Sequence, residues 1–143
     1  MTDSLSNINF LIVEDDEVDI LALKRILIEM DKDIAFTIAH DGEQALQILR
    51  ENQSHGAMKD RYIVLLDLNM PRMNGHEFLA ELRKDPDLKD TVVFVLSTST
   101  DPRDIGGSYE QHVAGYIPKD KLEVDNFRRL FETYIELNRF PDS

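Results

Sequence analysis

No cysteine occurs among the 143 residues, which excludes a disulfide framework and a thiolate metal site. That fits a reducing compartment, and the cytoplasm is the expected location. Basic residues are scarce: 16 Lys and Arg stand against 28 Asp and Glu, for a net charge of -12. Such a surface repels phosphate backbones and anionic membranes, so neither nucleic-acid nor membrane binding is expected of this chain. Long apolar runs are missing as well, and the polar stretch Met1 to Asn9 lacks the basic and apolar pattern of a signal peptide. His40, His55, His76 and His112 have no mutual metal spacing, and no repeat, linker or low-complexity tract interrupts the chain. The length suits one domain, expected over residues 1–143 with a core at about 8–138 and short polar ends.

What is present is a regular alternation. Phe10 to Val13, Tyr62 to Leu66 and Val92 to Leu96 are continuous aliphatic and β-branched runs, as strands covered on both faces require. Ala35 to Ala39 and Gly115 to Ile117 are two weaker strand candidates. Helical spacing fills the intervals Val18 to Met30, Asp41 to Asn52, His76 to Lys84 and Asp101 to His112, with Asp41 and Asp101 as expected N-caps. A last helix carries the stripe Phe127, Leu130, Phe131, Tyr134 and Leu137. Gln53 to Arg61 reads as a polar loop, and Pro141 to Ser143 as a frayed tail. Five β-α units predict an α/β fold, a doubly wound five-stranded parallel sheet flanked by five helices.

A polar group follows each main strand candidate: Glu14, Asp15 and Asp16 the first, Asp67 the third, Ser97 the fourth, Lys119 the fifth. In open α/β sheets ligands bind outside the carboxyl ends of strands, at the point where strand order reverses, so these residues are expected to converge. Two carboxylates about 4 Å apart repel by roughly 4 kcal/mol at an effective dielectric of about 20, and a divalent cation offsets that cost. Mg²⁺ suits the oxygen-only donor set and brings phosphate oxygens with it. An Asp beside Mg²⁺ and a Lys is then a plausible phosphoryl acceptor, with the carboxylate attacking while the cations neutralise the transferring group.

The motifs VEDD at Val13 to Asp16, LLDLNMPRMNG at Leu65 to Gly75, VLSTS at Val95 to Ser99 and GYIPK at Gly115 to Lys119 occur in this order. Over about Phe10 to Leu137 the chain resembles the response-regulator receiver domains of two-component signalling, which have a flavodoxin-like fold. The resemblance implies that Glu14 and Asp15 are the metal-binding acidic pair, Asp67 the phosphorylated aspartate, and Asn69 a metal ligand through its backbone carbonyl. It likewise implies Ser97 as the switch hydroxyl, Lys119 as the lysine pairing with phosphoryl oxygens, and Tyr116 as the switch aromatic. The segment SYEQHVAGY at Ser108 to Tyr116 is similar to single-domain regulators paired with bacterial phytochromes. Typical receivers follow the lysine with a cis proline, whereas here Pro118 precedes Lys119 and Asp120 follows it.

The implied function is a phosphorylation-controlled interaction module, charged by a sensor histidine kinase of phytochrome type or through a histidine-phosphotransfer protein. It is not an enzyme beyond its own aspartyl phosphorylation and dephosphorylation. With no effector segment evident, output is expected from a face of the fourth helix, fifth strand and fifth helix, including Tyr109, His112, Val113 and Tyr116, which would support a homodimer. Blander roles stand beside these: Asp16 and Glu17 suit a helix start, Asn69, Pro71 and Gly75 a turn, and Tyr116 simple core packing. Two rival functions remain, a haloacid-dehalogenase-type phosphohydrolase and an unphosphorylated scaffold receiver. The first needs DxD, where this chain has Asp67, Leu68, Asn69, and the second is disfavoured by the complete set of competent side chains.

Overall fold

The aliphatic runs form strands, each covered on both faces. In the computed structural model, which describes residues 8–53, 61–70 and 73–137, β1 is Ile8–Val13, β2 Ala35–Ala39, β3 Arg61–Asp67, β4 Val92–Ser97 and β5 Gly115–Pro118. Between and after them lie α1 (Glu17–Met30), α2 (Gly42–Gln53), α3 (Gly75–Lys84), α4 (Pro102–Glu110) and α5 (Val124–Leu137). All five strands pair in parallel in the order β2-β1-β3-β4-β5. The fold class expected from the alternation is the one observed. Strand order reverses between β1 and β3, and Glu14, Asp15 and Asp67 stand at the carboxyl ends of these two strands.

The period of two along each strand divides the core. Phe10, Ile12, Ile63, Leu65, Phe94 and Leu96 point to a cluster shared with Leu23 and Leu27 of α1 and Phe127, Phe131 and Ile135 of α5. Leu11, Val13, Val64, Leu66, Val93 and Val95 point the other way, against Leu46 and Leu49 of α2 and Phe78 and Leu82 of α3. Phe131 meets Phe10, Phe94 and Phe127 edge-on, with ring centroids 5.1, 5.1 and 5.2 Å away, the geometry that aromatic quadrupoles favour. The stripe expected on the last helix therefore faces the core, except that Leu137 is exposed and Ile135 takes a buried place that the stripe did not include.

Element ends differ from the sequence expectations in physically simple ways. Asp67 and Ser97 are the last residues of β3 and β4 rather than residues beyond them. Asp41 and Asp101 do cap α2 and α4, accepting from the backbone N–H of Gln44 and Arg103. α4 stops at Glu110 instead of His112, because His112 adopts φ 60, a left-handed conformation that reverses the chain toward β5. α3 begins at Gly75 behind a capping box in which the Asn74 side chain accepts from Glu77 N–H and Glu77 accepts from Asn74 N–H. Of the segment read as a polar loop, Gln53 closes α2 and Arg61 opens β3; its remaining residues, the tail Pro141 to Ser143 and the turn residue Pro71 lie outside the described residues.

At the amino ends of β4 and β5, away from the acidic cluster, Arg83 of α3 ties two connections together. Its guanidinium donates to the carbonyls of Lys89, Thr91, Gln111 and His112 at 2.6 to 3.1 Å. Burial lowers its pKa from the usual arginine value, so the four acceptors are what make a charge tolerable there.

Candidate functional site

Glu14 follows β1 directly and is buried, its side chain drawn inward by the backbone N–H of Asp15 at 3.1 Å. Asp15, next along, is exposed at the rim. Asp67 ends β3 and is 7 % exposed. One carboxylate oxygen from each of the three lies within 4.8 Å of the others, the spacing of a divalent-cation site. Asp16 does what the bland reading gave it, capping α1 by accepting from Val18 and Asp19 N–H.

Lys119 crosses to this group from the end of β5, where a single 3-10 turn, Lys119–Lys121, starts. Its Nζ donates to Glu14 Oε1 at 2.9 Å and to Asp19 Oδ2 at 2.8 Å, and lies 3.5 Å from Asp67 Oδ1. Burial disfavours charge on this ammonium, but the hydrogen bonds to Asp19 and Glu14 and the charge of Asp67 outweigh it and hold the pKa above the ordinary lysine value. The Glu14 pKa also rises: burial first, then the Asp67 carboxylate, push it from 4.5 up to about 8 against the pull of Lys119. Without a metal, two adjacent carboxylates and one lysine are most favourable with a proton retained on Glu14.

This carries a sign for stability. An unfolded Glu14 loses its proton near pH 4.5, whereas the folded one keeps it to about pH 8, so the folded state binds more protons across that window. Metal-free protein should therefore lose stability as pH rises from about 5 to 8. Melting curves of the wild type and Glu14→Gln in EDTA test this: the gap between the two should widen steadily in favour of the glutamine variant. A gap independent of pH would contradict it.

Ser97 is 1 % exposed, and its Oγ accepts from the backbone N–H of Ser99 at 3.0 Å. The carbonyl of Ser99 accepts from the Tyr116 hydroxyl at 3.0 Å, while Ser99 Oγ donates to Asp104 Oδ2 at 2.6 Å. His76 of α3 reaches the other oxygen of Asp104 at 3.1 Å, and these bonds hold the Asp104 carboxyl below its usual range. Tyr116 is thus half-buried and bonded to the loop that leaves Ser97, with both its packing and its hydroxyl in use. Asn69 follows Asp67 by two residues and is exposed. Among the described residues, every peptide bond is trans, including those around Lys119. Val113, expected on the outer face, is buried in the core instead.

The structure thus brings Glu14, Asp15, Asp67 and Lys119 together, as the strand-end argument requires, and places Ser97 at the end of the neighbouring strand. It also adds Asp19, Ser99, Asp104 and His76, which sequence reasoning passed over. No local signal marked them: Asp19 stands among Asp16 and Glu17 in an acidic helix start, and His76 lies far in sequence from its partner.

Three carboxylates and a lysine thus meet at the switch point of a doubly wound sheet, where ligands of such folds bind. The chain belongs to the response regulator receiver domain family, whose pattern matches residues 10–130. Response regulator Rcp1 of Synechocystis is 36 % identical over 118 residues, covering 82 % of this chain and 80 % of Rcp1. The phosphorylated cyanobacterial phytochrome response regulator RcpA superposes with a TM-score of 0.76 at 32 % identity, covering 93 % of this chain and 97 % of RcpA. The Mn²⁺-bound form of Rcp1 does so with 0.72 at 33 %, covering 93 % and 98 %. Receivers of this family take phosphoryl groups from histidine kinases, and this chain is one of them, a phosphorylation-controlled signalling protein that resembles phytochrome-associated regulators. The phosphohydrolase alternative has no support from these relatives.

Proposed function

We propose that Asp67 is the phosphoryl acceptor, that Glu14, Asp15, Asp67 and the Asn69 carbonyl hold Mg²⁺, and that Ser97 and Lys119 take the phosphoryl oxygens. The observation that carries this reading is the convergence on Asp67 of two further carboxylates and the Lys119 ammonium. The donor set is chemically right for a hard ion: oxygens only, with negative charge in excess of Lys119. Mg²⁺, when bound, neutralises charge on the transferring group. The chain's own residues do the rest. An Asp67 oxygen attacks phosphorus as the bond to the donor breaks, and the donor group departs with that electron pair. Lys119 balances charge on the arriving oxygens. Ser97 Oγ then gives up Ser99 N–H and donates to a phosphoryl oxygen, which releases the loop that Tyr116 holds. Acetyl phosphate with Mg²⁺ should add one phosphoryl group, and EDTA should prevent it. Intact mass measures both, and labelling undiminished by EDTA would remove the metal from the mechanism.

The physiological donor in this reading is a sensor histidine kinase of phytochrome type, in the cytoplasm, with a histidine-phosphotransfer protein as the alternative donor; the chain acts as a single receiver domain over 1–143. Output leaves through the α4-β5-α5 face as a homodimer. Support comes from exposed Tyr109 and Leu137 and from an open groove of about 500 Å³ on α5 lined by Asn126, Arg129, Leu130, Thr133, Tyr134 and Leu137. Sedimentation with and without beryllofluoride should show dimerisation tightened by about 5- to 150-fold. A monomer in both states at high micromolar concentration would mean that another protein reads this face.

A further inference from the structure

Among the described residues Lys119 is the cation that reaches the acidic pocket, and its ammonium has three N–H donors to place. Two are spent on Glu14 Oε1 and Asp19 Oδ2, at 2.9 and 2.8 Å. The third has Asp67 Oδ1 at 3.5 Å, beyond a good hydrogen bond yet the nearest remaining anion. The Lys119 side chain is only 16 % exposed, so water cannot freely replace a lost partner, while Asp19 stands at the rim with 40 % exposure. Glu14 comes from the end of β1 and Asp19 from the first turn of α1, so the two acceptors approach the ammonium from different elements. Together they fix both the reach of a flexible four-carbon stem and the direction of its free donor.

We propose that Asp19 is a positioning residue for phosphoryl capture: with Glu14 it clamps Lys119 so that the third N–H is already aimed at the oxygens that arrive on Asp67. Asp19 touches neither Asp67 nor a metal ligand in this role; it acts through Lys119. Because the ammonium has three donors, holding Asp19 and receiving a phosphoryl oxygen are compatible, and Asp19 assists rather than competes. When Mg²⁺ draws on the oxygens of Glu14 and Asp67, Asp19 is the partner left wholly to the lysine. An unclamped lysine would have to order its side chain at the moment of capture, which costs entropy that the clamp has removed beforehand.

The inference rests on Asp67 being the acceptor, and the test separates the two. Beryllofluoride affinity at saturating Mg²⁺ is measured for the wild type, Asp19→Ala and Asp19→Asn, each also in a Lys119→Ala background. Asp19→Ala should weaken binding by about 3- to 10-fold, the range of a partly exposed charge-assisted hydrogen bond. Asp19→Asn keeps an acceptor oxygen and should stay within about 2-fold of wild type, because geometry and not charge is at issue. With Lys119 removed, Asp19→Ala should have no effect. As a readout independent of metal and phosphoryl mimic, the Lys119 ammonium should give a slowly exchanging ¹⁵N-edited NMR signal in the metal-free wild type that Asp19→Ala abolishes. Equal affinities for wild type and Asp19→Ala overturn the proposal. So does an asparagine variant as weak as the alanine, which would indicate a general field effect, or a loss that persists without Lys119. If the wild type binds no beryllofluoride at all, the acceptor assignment has failed, and this proposal falls with it.

Discussion

Asp67→Asn should take up no phosphoryl group from acetyl phosphate and Mg²⁺, a loss of about 100-fold or more, because an amide oxygen is a far weaker nucleophile than a carboxylate. The change is small in shape and removes one of two adjacent buried carboxyl groups, so the fold should survive it. Repulsion between carboxylates about 4 Å apart is roughly 4 kcal/mol at an effective dielectric of about 20, relieved in the wild type by Lys119 and by the raised pKa of Glu14. Intact mass after incubation, set beside a melting curve, separates chemistry from unfolding. A variant that melts like wild type and still gains the mass of one phosphoryl group would place the acceptor elsewhere.

The second large effect is expected at Gly75. A Cβ there would lie 2.6 Å from Leu68 Cα and 2.8 Å from the carbonyl oxygen of Asp67, both backbone atoms that cannot swing aside. The amide of the same glycine donates to the Leu68 carbonyl at 2.9 Å, so the first turn of α3 is stitched to the chain just beyond Asp67. Gly75→Ala must therefore either push α3 off the sheet or displace Asp67. We expect a stability loss of about 3 kcal/mol, the upper range for overpacking, together with reduced labelling. Urea unfolding and the same mass assay test the pair. A loss below about 1 kcal/mol with full labelling would mean that the helix start yields at little cost.

Much of this was legible because it follows from local pattern. Continuous aliphatic runs identified the buried strands, and topology alone then brought Glu14, Asp15, Asp67 and Lys119 to one edge of the sheet. Gly75 was legible only as a turn residue. That its missing side chain makes room for the backbone of Asp67 depends on how α3 seats on β3, which no local pattern encodes. Asp19 was hidden for a different reason: its partner lies 100 residues away, and which of several carboxylates a long lysine reaches is set by packing of the final loop. The Ser99, Asp104 and His76 network is of the same kind, three polar residues whose relation exists only after α3 and α4 are side by side. Val113 misled because the helical period was carried to His112, whereas the left-handed residue there turns the chain and sends Val113 inward.

Arg83 makes one end of the domain more firmly tied than the other. Four carbonyls gathered by one guanidinium anchor the amino ends of β4 and β5 and the exit of α4. At the opposite end the entry to α4 is secured by bonds through Ser97, Ser99, Tyr116 and Asp104, each exchangeable for another partner of similar strength. If Asp67 is phosphorylated as proposed, the disturbance would swing the entry of α4 about this anchor, with the displacement greatest where the hydroxyls let go and fading toward the arginine. On the proposed function α4 would act as a lever hinged at its arginine end, turning a rearrangement of bonds at its entry into a change of surface.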